Sequence, residues 1–184
     1  KHLPKNSKLV EVGCGKGHFL EMIEKDQWFT VKGYDKTYEG RNPLIKKRYL
    51  SPNEKVRADI VVLRHVLDEV ESPHKFLEML SNIFGNALIF IEILNFNFIL
   101  KNQMFHEVTY ERVHYFTPNS LEQLFENYKD KGLLFNKHYQ FILAPLKKLK
   151  TSYAEIYDNS DNWVDLKFTD LFQKLAHIFK TIDS

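Results

Sequence analysis

Leu9–Leu20, LVEVGCGKGHFL, decides how the rest of the chain is read. Leu9, Val10 and Val12 make an apolar run of the kind that fills a buried strand. Three glycines follow at alternate positions, Gly13, Gly15 and Gly17, and an amphipathic segment begins directly after them. A strand, a glycine-rich turn and a helix start, in that order, form the first unit of a nucleotide-binding α/β domain. Such a turn needs φ angles that side chains resist, and it lets a ligand approach bare backbone. The spacing excludes the dinucleotide fingerprint G-x-G-x-x-G, because His18 stands where its third glycine belongs. A nicotinamide dehydrogenase is therefore disfavoured. The pattern present is Glu11-x-Gly13-x-Gly15-x-Gly17.

Outward from this stretch, the elements alternate as in a parallel sheet. A helix is expected from Gly17 to Asp26, with Phe19, Leu20, Met22 and Ile23 on its apolar face. A second strand, Phe29–Tyr34, ends at Asp35, where nucleotide-binding units place the acid that bonds the ribose hydroxyls. The other reading of Asp35 is a structural turn acid. A loop from Tyr38 leads to a strand around Ile45–Leu50. Its Lys46-Lys47-Arg48 cluster reads as a solvated strand edge rather than a phosphate site. Ala58–Leu63 (ADIVVL) is β-branched and apolar, as a central parallel strand should be. Arg64-His65 follows at its carboxyl end, and His65 is either a ligand or a cap on the strand. Open α/β sheets bind ligands at the carboxyl ends of their strands. Gly13, Asp35 and His65 are thus expected to face one crevice although they are far apart in sequence.

Ser72-Pro73 reads as a helix start, a capping hydroxyl followed by proline, and Gly85 closes that helix. Phe76, Leu77, Leu80, Ile83 and Phe84 share its face, so it reads as scaffold. Ala87–Leu94 is the next strand. Its lone Glu92 is either an edge-facing acid or a site carboxylate. Asn95–Phe116 is irregular, follows a strand's carboxyl end and reads as a lid or binding loop. A helix is expected from Thr117-Pro118 to Gly132, burying Leu121, Leu124, Phe125 and Tyr128. Leu133–Leu146 reads as a strand forming an antiparallel edge.

Several of these segments resemble one family. E-x-G-x-G-x-G after a first strand is similar to motif I of the class I S-adenosylmethionine-dependent methyltransferases. RHVLDEVESPHKFL (64–77) resembles their fourth-strand motif, with Glu69 where relatives often carry histidine. The segment 38–52 resembles one found in sugar-modifying methyltransferases. The resemblance implies a doubly wound, mostly parallel, seven-stranded Rossmann-like methyltransferase sandwich. It implies S-adenosyl-L-methionine as cofactor, held by Glu11, Gly13, Cys14, Gly15, Gly17, Asp35, Arg64 and His65.

In the sugar C-methyltransferase group, a loop Tyr-His-Glu-His-x-x-Tyr-Phe-Ser carries the base. Aligning on Tyr115-Phe116-Thr117 puts Glu111 on its glutamate and Arg112 on its second histidine. Thr109 and Tyr110 replace the first tyrosine and histidine. Arginine stays protonated at any useful pH, so Arg112 cannot remove a proton, although it can hold a phosphate or carboxylate. His106, Glu107, Glu111 and His114 are the candidate bases. His114 stands nearest the matching Tyr-Phe pair and carries an imidazole, the side chain most often used for proton transfer. The expected acceptor is a small molecule, a sugar or sugar nucleotide. The alternative is a methyltransferase fold that binds without catalysing.

Composition narrows the classes further. With 184 residues the chain is the size of one ordinary domain. Residues 1–146 read as the cofactor-binding domain, 147–161 as a linker, and Trp163 onward as a helical extension that either packs on the domain or leads into a truncated one. The chain opens on Lys1 and enters its first strand at once, which reads as a piece of a longer protein. One cysteine permits no intrachain disulfide, and a cytoplasmic location is expected. No run is long enough to span a membrane. A formal net charge of +2 argues against nucleic acid as a partner. So does Arg64-His65-Val66-Leu67, which lacks the Asn/Asp-Pro-Pro-aromatic signature of amino-methylating DNA enzymes. No metal is expected, since the histidines follow no zinc-ligand spacing.

Overall fold

The structure is a computed structural model that describes residues 3–150. The helical extension expected from Trp163 and most of the expected linker lie outside the described residues.

Seven strands form one sheet in the order β3-β2-β1-β4-β5-β7-β6. Strand β1 (Ser7–Val12) lies parallel between β2 (Phe29–Tyr34) and β4 (Ile60–Arg64). β3 (Ile45–Lys46) pairs parallel with β2, and β5 (Leu88–Leu94) parallel with β4. β7 (Tyr139–Pro145) runs antiparallel between β5 and β6 (Asp130–Leu134). The strand order reverses between β1 and β4, so the crevice of a doubly wound fold opens at their carboxyl ends.

Hydrophobic pattern explains both layers. Val61, Val62 and Leu63 are almost wholly enclosed, because a central parallel strand is covered on both faces. On one face α1 (His18–Lys25) seats Leu20 against Val31, Ile45 and Val62. On the other, α2 (Pro73–Phe84) and α4 (Pro118–Glu122) seat Leu77, Leu80, Phe84 and Leu121 against Val10, Ile89 and Ile142. No helix among the described residues is long and apolar enough to cross a membrane.

Several expectations are corrected. The third strand stops at Lys46 instead of reaching Leu50, because Arg48 N–H turns back to the Lys46 carbonyl at 2.8 Å. In the cationic cluster, Lys46 and Arg48 both pair with Glu54, which also accepts from the Tyr34 hydroxyl at 3.0 Å. These bonds, that from Arg48 above all, hold the Glu54 carboxyl down at about 2. Ser72 is the cap residue of α2, but its hydroxyl bonds no backbone amide there. The expected irregular segment contains a helix, α3 (Phe96–Asn102), and one 3-10 turn (Phe105–Glu107).

The helix expected to run to Gly132 ends at Glu122. Beyond it the backbone finds other partners: Glu126 N–H donates to Lys148 O at 2.8 Å and Lys150 N–H to Leu124 O at 3.1 Å. Leu124 and Phe125 are buried as expected, whereas Tyr128 is exposed and Gly132 belongs to β6. Residues 147–150 therefore begin as part of the domain, with Leu149 bridging Phe125. The strand expected over Leu133–Leu146 is a hairpin. Its antiparallel member β7 lies inside the sheet, and β6 forms the edge.

Candidate functional site

The turn after β1 and the tip of β2 are tied together. Gly13 N–H donates to Tyr34 O at 2.8 Å, and Gly15 N–H donates to Asp35 Oδ2 at 2.7 Å. Asp35 Oδ1 accepts from the Thr37 amide and from its hydroxyl, both at 2.7 Å. Two of the glycines are required by space as well as by φ. At Gly13 (φ 73) an added Cβ falls 2.4 Å from Val66 Cγ2, so the loop after β4 presses directly on the glycine turn. At Gly17 (φ 80), the cap of α1, it falls 2.4 Å from Ile45 Cδ1.

A cavity of about 760 Å³ opens over this turn. Gly13, Gly15 and Asp35 line one end, with Tyr49 and Leu50 beside them. Arg64, His65, Val66 and Glu69 line the β4 side. Phe76 and Met79 also reach the cavity, so α2 is more than the scaffold its apolar stripe suggested. The stripe itself was the signal, since both residues sit on its margin. The cavity has the size and mixed lining of a small-molecule site.

Three residues expected at the cofactor site stand behind it. Glu11 is buried beneath the turn, with Arg64 Nη1 at 4.0 Å from its Oε1 and its Oε2 without a hydrogen bond. Burial pushes the Glu11 carboxyl up to about 7 against the opposing pull of Arg64. Cys14 packs into the α1-side core, where burial raises its thiol to about 12 and keeps it protonated. Gly17 caps α1.

None of the three expected catalytic residues lines the cavity. His114 Nε2 lies 3.1 Å from the Glu71 carbonyl. His106 is largely exposed and sits 3.9 Å from Glu107. Glu111 is exposed, close enough to Glu69 to help burial raise that carboxyl's pKa. The segment carrying them is folded back by Arg112. Its Nε donates to buried Asp68 Oδ2 at 3.1 Å, and its Nη1 lies 3.6 Å from Glu107. The Asp68 carbonyl also accepts from Val113 and His114 N–H, both at 3.0 Å.

Glu92, left open by its sequence, is settled as an interior acid. β5 lies between β4 and β7, so the edge reading fails. Its Oε1 stands 3.4 Å from both Arg64 Nη2 and His65 Nε2. The contact with His65 leads in holding the Glu92 carboxyl below its ordinary value, assisted by Arg64 and opposed by burial. Arg64 also stacks over the Phe19 ring, 4.6 Å from its centroid. Among the described residues no group of three or more His, Cys, Asp or Glu is arranged to hold a metal ion.

No curated protein sequence matches the chain. Among solved structures, a SAM-dependent methyltransferase from Aquifex aeolicus superposes with a TM-score of 0.56 at 15% identity, over 78% of this chain and 84% of that one. A SAM-dependent methyltransferase from Thermotoga maritima gives a TM-score of 0.57 at 15% identity, over 79% and 84%. The plantazolicin methyltransferase BpumL, in complex with a desmethyl plantazolicin analogue and SAH, gives 0.57 at 17% identity, over 76% of each chain. At such identities the likeness establishes the fold. The family is established by sequence: the model of the methyltransferase domain matches residues 1–129. With motif, topology and crevice in agreement, the chain belongs to the methyltransferase-domain family and is a methyltransferase that uses S-adenosylmethionine.

Proposed function

We propose that the cavity over the glycine turn binds S-adenosylmethionine and that the chain transfers its methyl group to a small polar acceptor of carbohydrate type. The observation that carries the reading is the bond from Gly15 N–H to Asp35, which brings the glycine turn and the acid of β2 to one end of one cavity.

The residues present fit the cofactor. Gly15 has nothing within 4 Å of where a Cβ would stand, which leaves its backbone open to a close ligand. A carboxylate offers about four acceptor sites. Gly15 N–H and the Thr37 amide and hydroxyl take three of them on Asp35. A ribose diol needs two, so the rotatable Thr37 hydroxyl is the group that yields. Tyr49 offers a flat face beside Leu50, and Val66, Phe76 and Met79 offer an apolar wall for a purine. S-adenosylmethionine supplies an activated methyl on a sulfonium. The protein's part is to align donor and acceptor, which contributes on the order of 7–11 kcal/mol of barrier reduction.

The acceptor class rests on polarity. His65, Glu69 and Arg64 line the β4 end, and Tyr139 packs on His65 with ring centroids 5.1 Å apart. Hydrogen-bonding groups of this kind suit a polyhydroxylated molecule better than a flat apolar one. Glu111 and Tyr115-Phe116 are the matches to the sugar-methylating loop. The single cysteine, buried and free, suits a reducing compartment, and we assign the protein to the cytoplasm.

Titration calorimetry with S-adenosylmethionine, followed by turnover with free hexoses and nucleoside-diphosphate hexoses, tests the reading. Asp35→Ala is expected to weaken donor binding by about tenfold to 100-fold, the worth of one charged hydrogen bond. A folded chain that binds no donor, or an Asp35→Ala variant that binds as well as the parent, overturns it. A second reading is favoured by Arg112, which stands on the family's base and is locked to Asp68. In that reading the acceptor is not a sugar, and donor binding with no turnover on any sugar supports it.

A further inference from the structure

We propose that His65, oriented by Glu92, is the base that takes the proton from the acceptor hydroxyl. The inference rests on the methyl-transfer reading above.

Placement comes first. His65 lines the cavity immediately before Val66, the residue that presses on Gly13. Asp35 marks the ribose end over β2, and β1 and β4 follow across the sheet. A donor with its ribose at Asp35 therefore extends past Gly13 toward His65. The acceptor must then lie beyond, over the ends of β4, β5 and β7.

Backbone conformation is the second observation. Seven non-glycine residues among those described have positive φ, and His65 (φ 55) is the one that lines the cavity. Left-handed backbone at a non-glycine residue costs stability and tends to persist where function requires it. Here it is clamped by the His65 N–H to Glu92 O bond of 2.9 Å.

Orientation is the third. His65 Nε2 faces Glu92 Oε1 at 3.4 Å, and the ring edge packs on Tyr139. Glu92 is buried, and its carboxylate faces Nε2 as an ion-pair partner, which favours the proton there and leaves Nδ1 with its lone pair. Among the described residues nothing bonds Nδ1. A carboxylate behind an imidazole holds its tautomer and stabilises the imidazolium that forms, the arrangement by which histidine acts as a base in acyl transfer. The charged and titratable groups around the ring are Arg64 and Glu69 beside it, Glu92 on β5 and Tyr139 on β7.

The step balances. The acceptor oxygen forms a bond to the methyl carbon as the carbon–sulfur bond breaks, and that bond's electron pair stays on sulfur. The hydroxyl proton passes to Nδ1 and is later released to solvent. His65 is the catalytic residue and Glu92 its positioning residue.

The test uses the whole chain, with His65→Asn and Glu92→Gln. Asparagine adopts left-handed backbone readily, so His65→Asn removes the base without breaking the turn. This placement moves His65 from the expected cofactor-holding set to the acceptor side, so donor affinity by calorimetry is expected within threefold of the parent for both variants. Turnover with the best hexose or nucleotide hexose is expected to fall about 10²–10⁴-fold for His65→Asn, with loss of the acid limb of its pH–rate profile. For Glu92→Gln that limb is expected to move to lower pH, since an uncharged partner no longer favours the imidazolium. Nitrogen-15 spectra of histidine-labelled chain give a readout that needs no acceptor: the neutral His65 ring should carry its proton on Nε2 and lose that preference in Glu92→Gln. A proton on Nδ1, or His65→Asn turning over within threefold of the parent, overturns the inference while leaving donor binding intact. Absence of donor binding in the parent overturns the preceding reading instead.

Discussion

At the carboxyl ends of β1 and β2 the chain is held by backbone amides; at the carboxyl ends of β4 and β5 and the amino end of antiparallel β7 it is held by charged side chains. In the first region, Gly13 N–H bonds Tyr34 O and Gly15 N–H bonds Asp35, partners 20 or 21 residues apart joined through one helix and one strand. In the second, Arg112 reaches Asp68 across 44 residues, His138 lies 3.2 Å from Glu107, and Glu92 meets Arg64 and His65. A nucleoside presents a fixed shape, and bare backbone at a tight turn meets it. Acceptors differ, and side chains on a folded-back loop adapt to them with fewer constraints on the strands beneath.

The sharpest way to break this contrast is Arg112→Ala. Asp68 is buried, and its Oδ1 already lacks a hydrogen bond. Removing the guanidinium leaves a buried carboxylate with no countercharge, which costs ~3–5 kcal/mol. Urea denaturation is expected to show that loss, with the donor still bound at low urea because no glycine-turn contact is touched. A loss below ~1 kcal/mol would mean that the backbone bonds from Val113 and His114 to Asp68 hold the loop unaided.

The same contrast explains what was legible. Gly13, Gly15 and Asp35 were readable because backbone geometry demands particular residue types at fixed spacing, and ADIVVL was readable because a central strand must be apolar throughout. The side we propose for the acceptor was not. Glu92 looked like an interruption of an apolar strand, since nothing near it in sequence says that Arg64 and His65 lie beside it. Closeness in sequence to Tyr115-Phe116 favours His114, whereas Arg112–Asp68 decides where that segment goes. The length of α4 failed for a related reason: its amphipathic spacing continued, but the amide of Glu126 and the carbonyl of Leu124 were taken by 148–150.

Glu11 sharpens the contrast on the glycine side, where one charge is buried under the backbone. Its carboxyl rises from 4.5 to about 7, mainly through burial. A carboxyl with a higher pKa in the fold than in the unfolded chain favours folding most fully below the unfolded value. That advantage is lost as pH climbs from 4.5 through 7. The window corresponds to ~3 kcal/mol. Glu11→Gln keeps the shape without the titration, so its stability relative to the parent is expected to grow from pH 5 to pH 8 by up to that amount. Melting curves at both values measure it, and a difference that stays level across the range would show that Arg64 fully compensates the buried charge.

The smallest effect expected separates two helix starts that look alike in sequence, Ser72-Pro73 and Thr117-Pro118. Both place a hydroxyl before a proline. At α4 the hydroxyl works: Ser120 N–H donates to Thr117 Oγ1 at 3.1 Å and Thr117 N–H to Ser120 Oγ at 2.9 Å, a reciprocal box on a helix of only five residues. At α2 the Ser72 hydroxyl caps nothing, and the helix rests on Pro73 and a buried face of Leu77, Leu80 and Phe84. Thr117→Ala is therefore expected to cost ~1 kcal/mol and Ser72→Ala less than ~0.5 kcal/mol. Urea midpoints at unchanged slope give both numbers. Equal losses would mean that Ser72 does cap α2 in solution, and that side-chain contacts fix both helix starts on that face of the sheet.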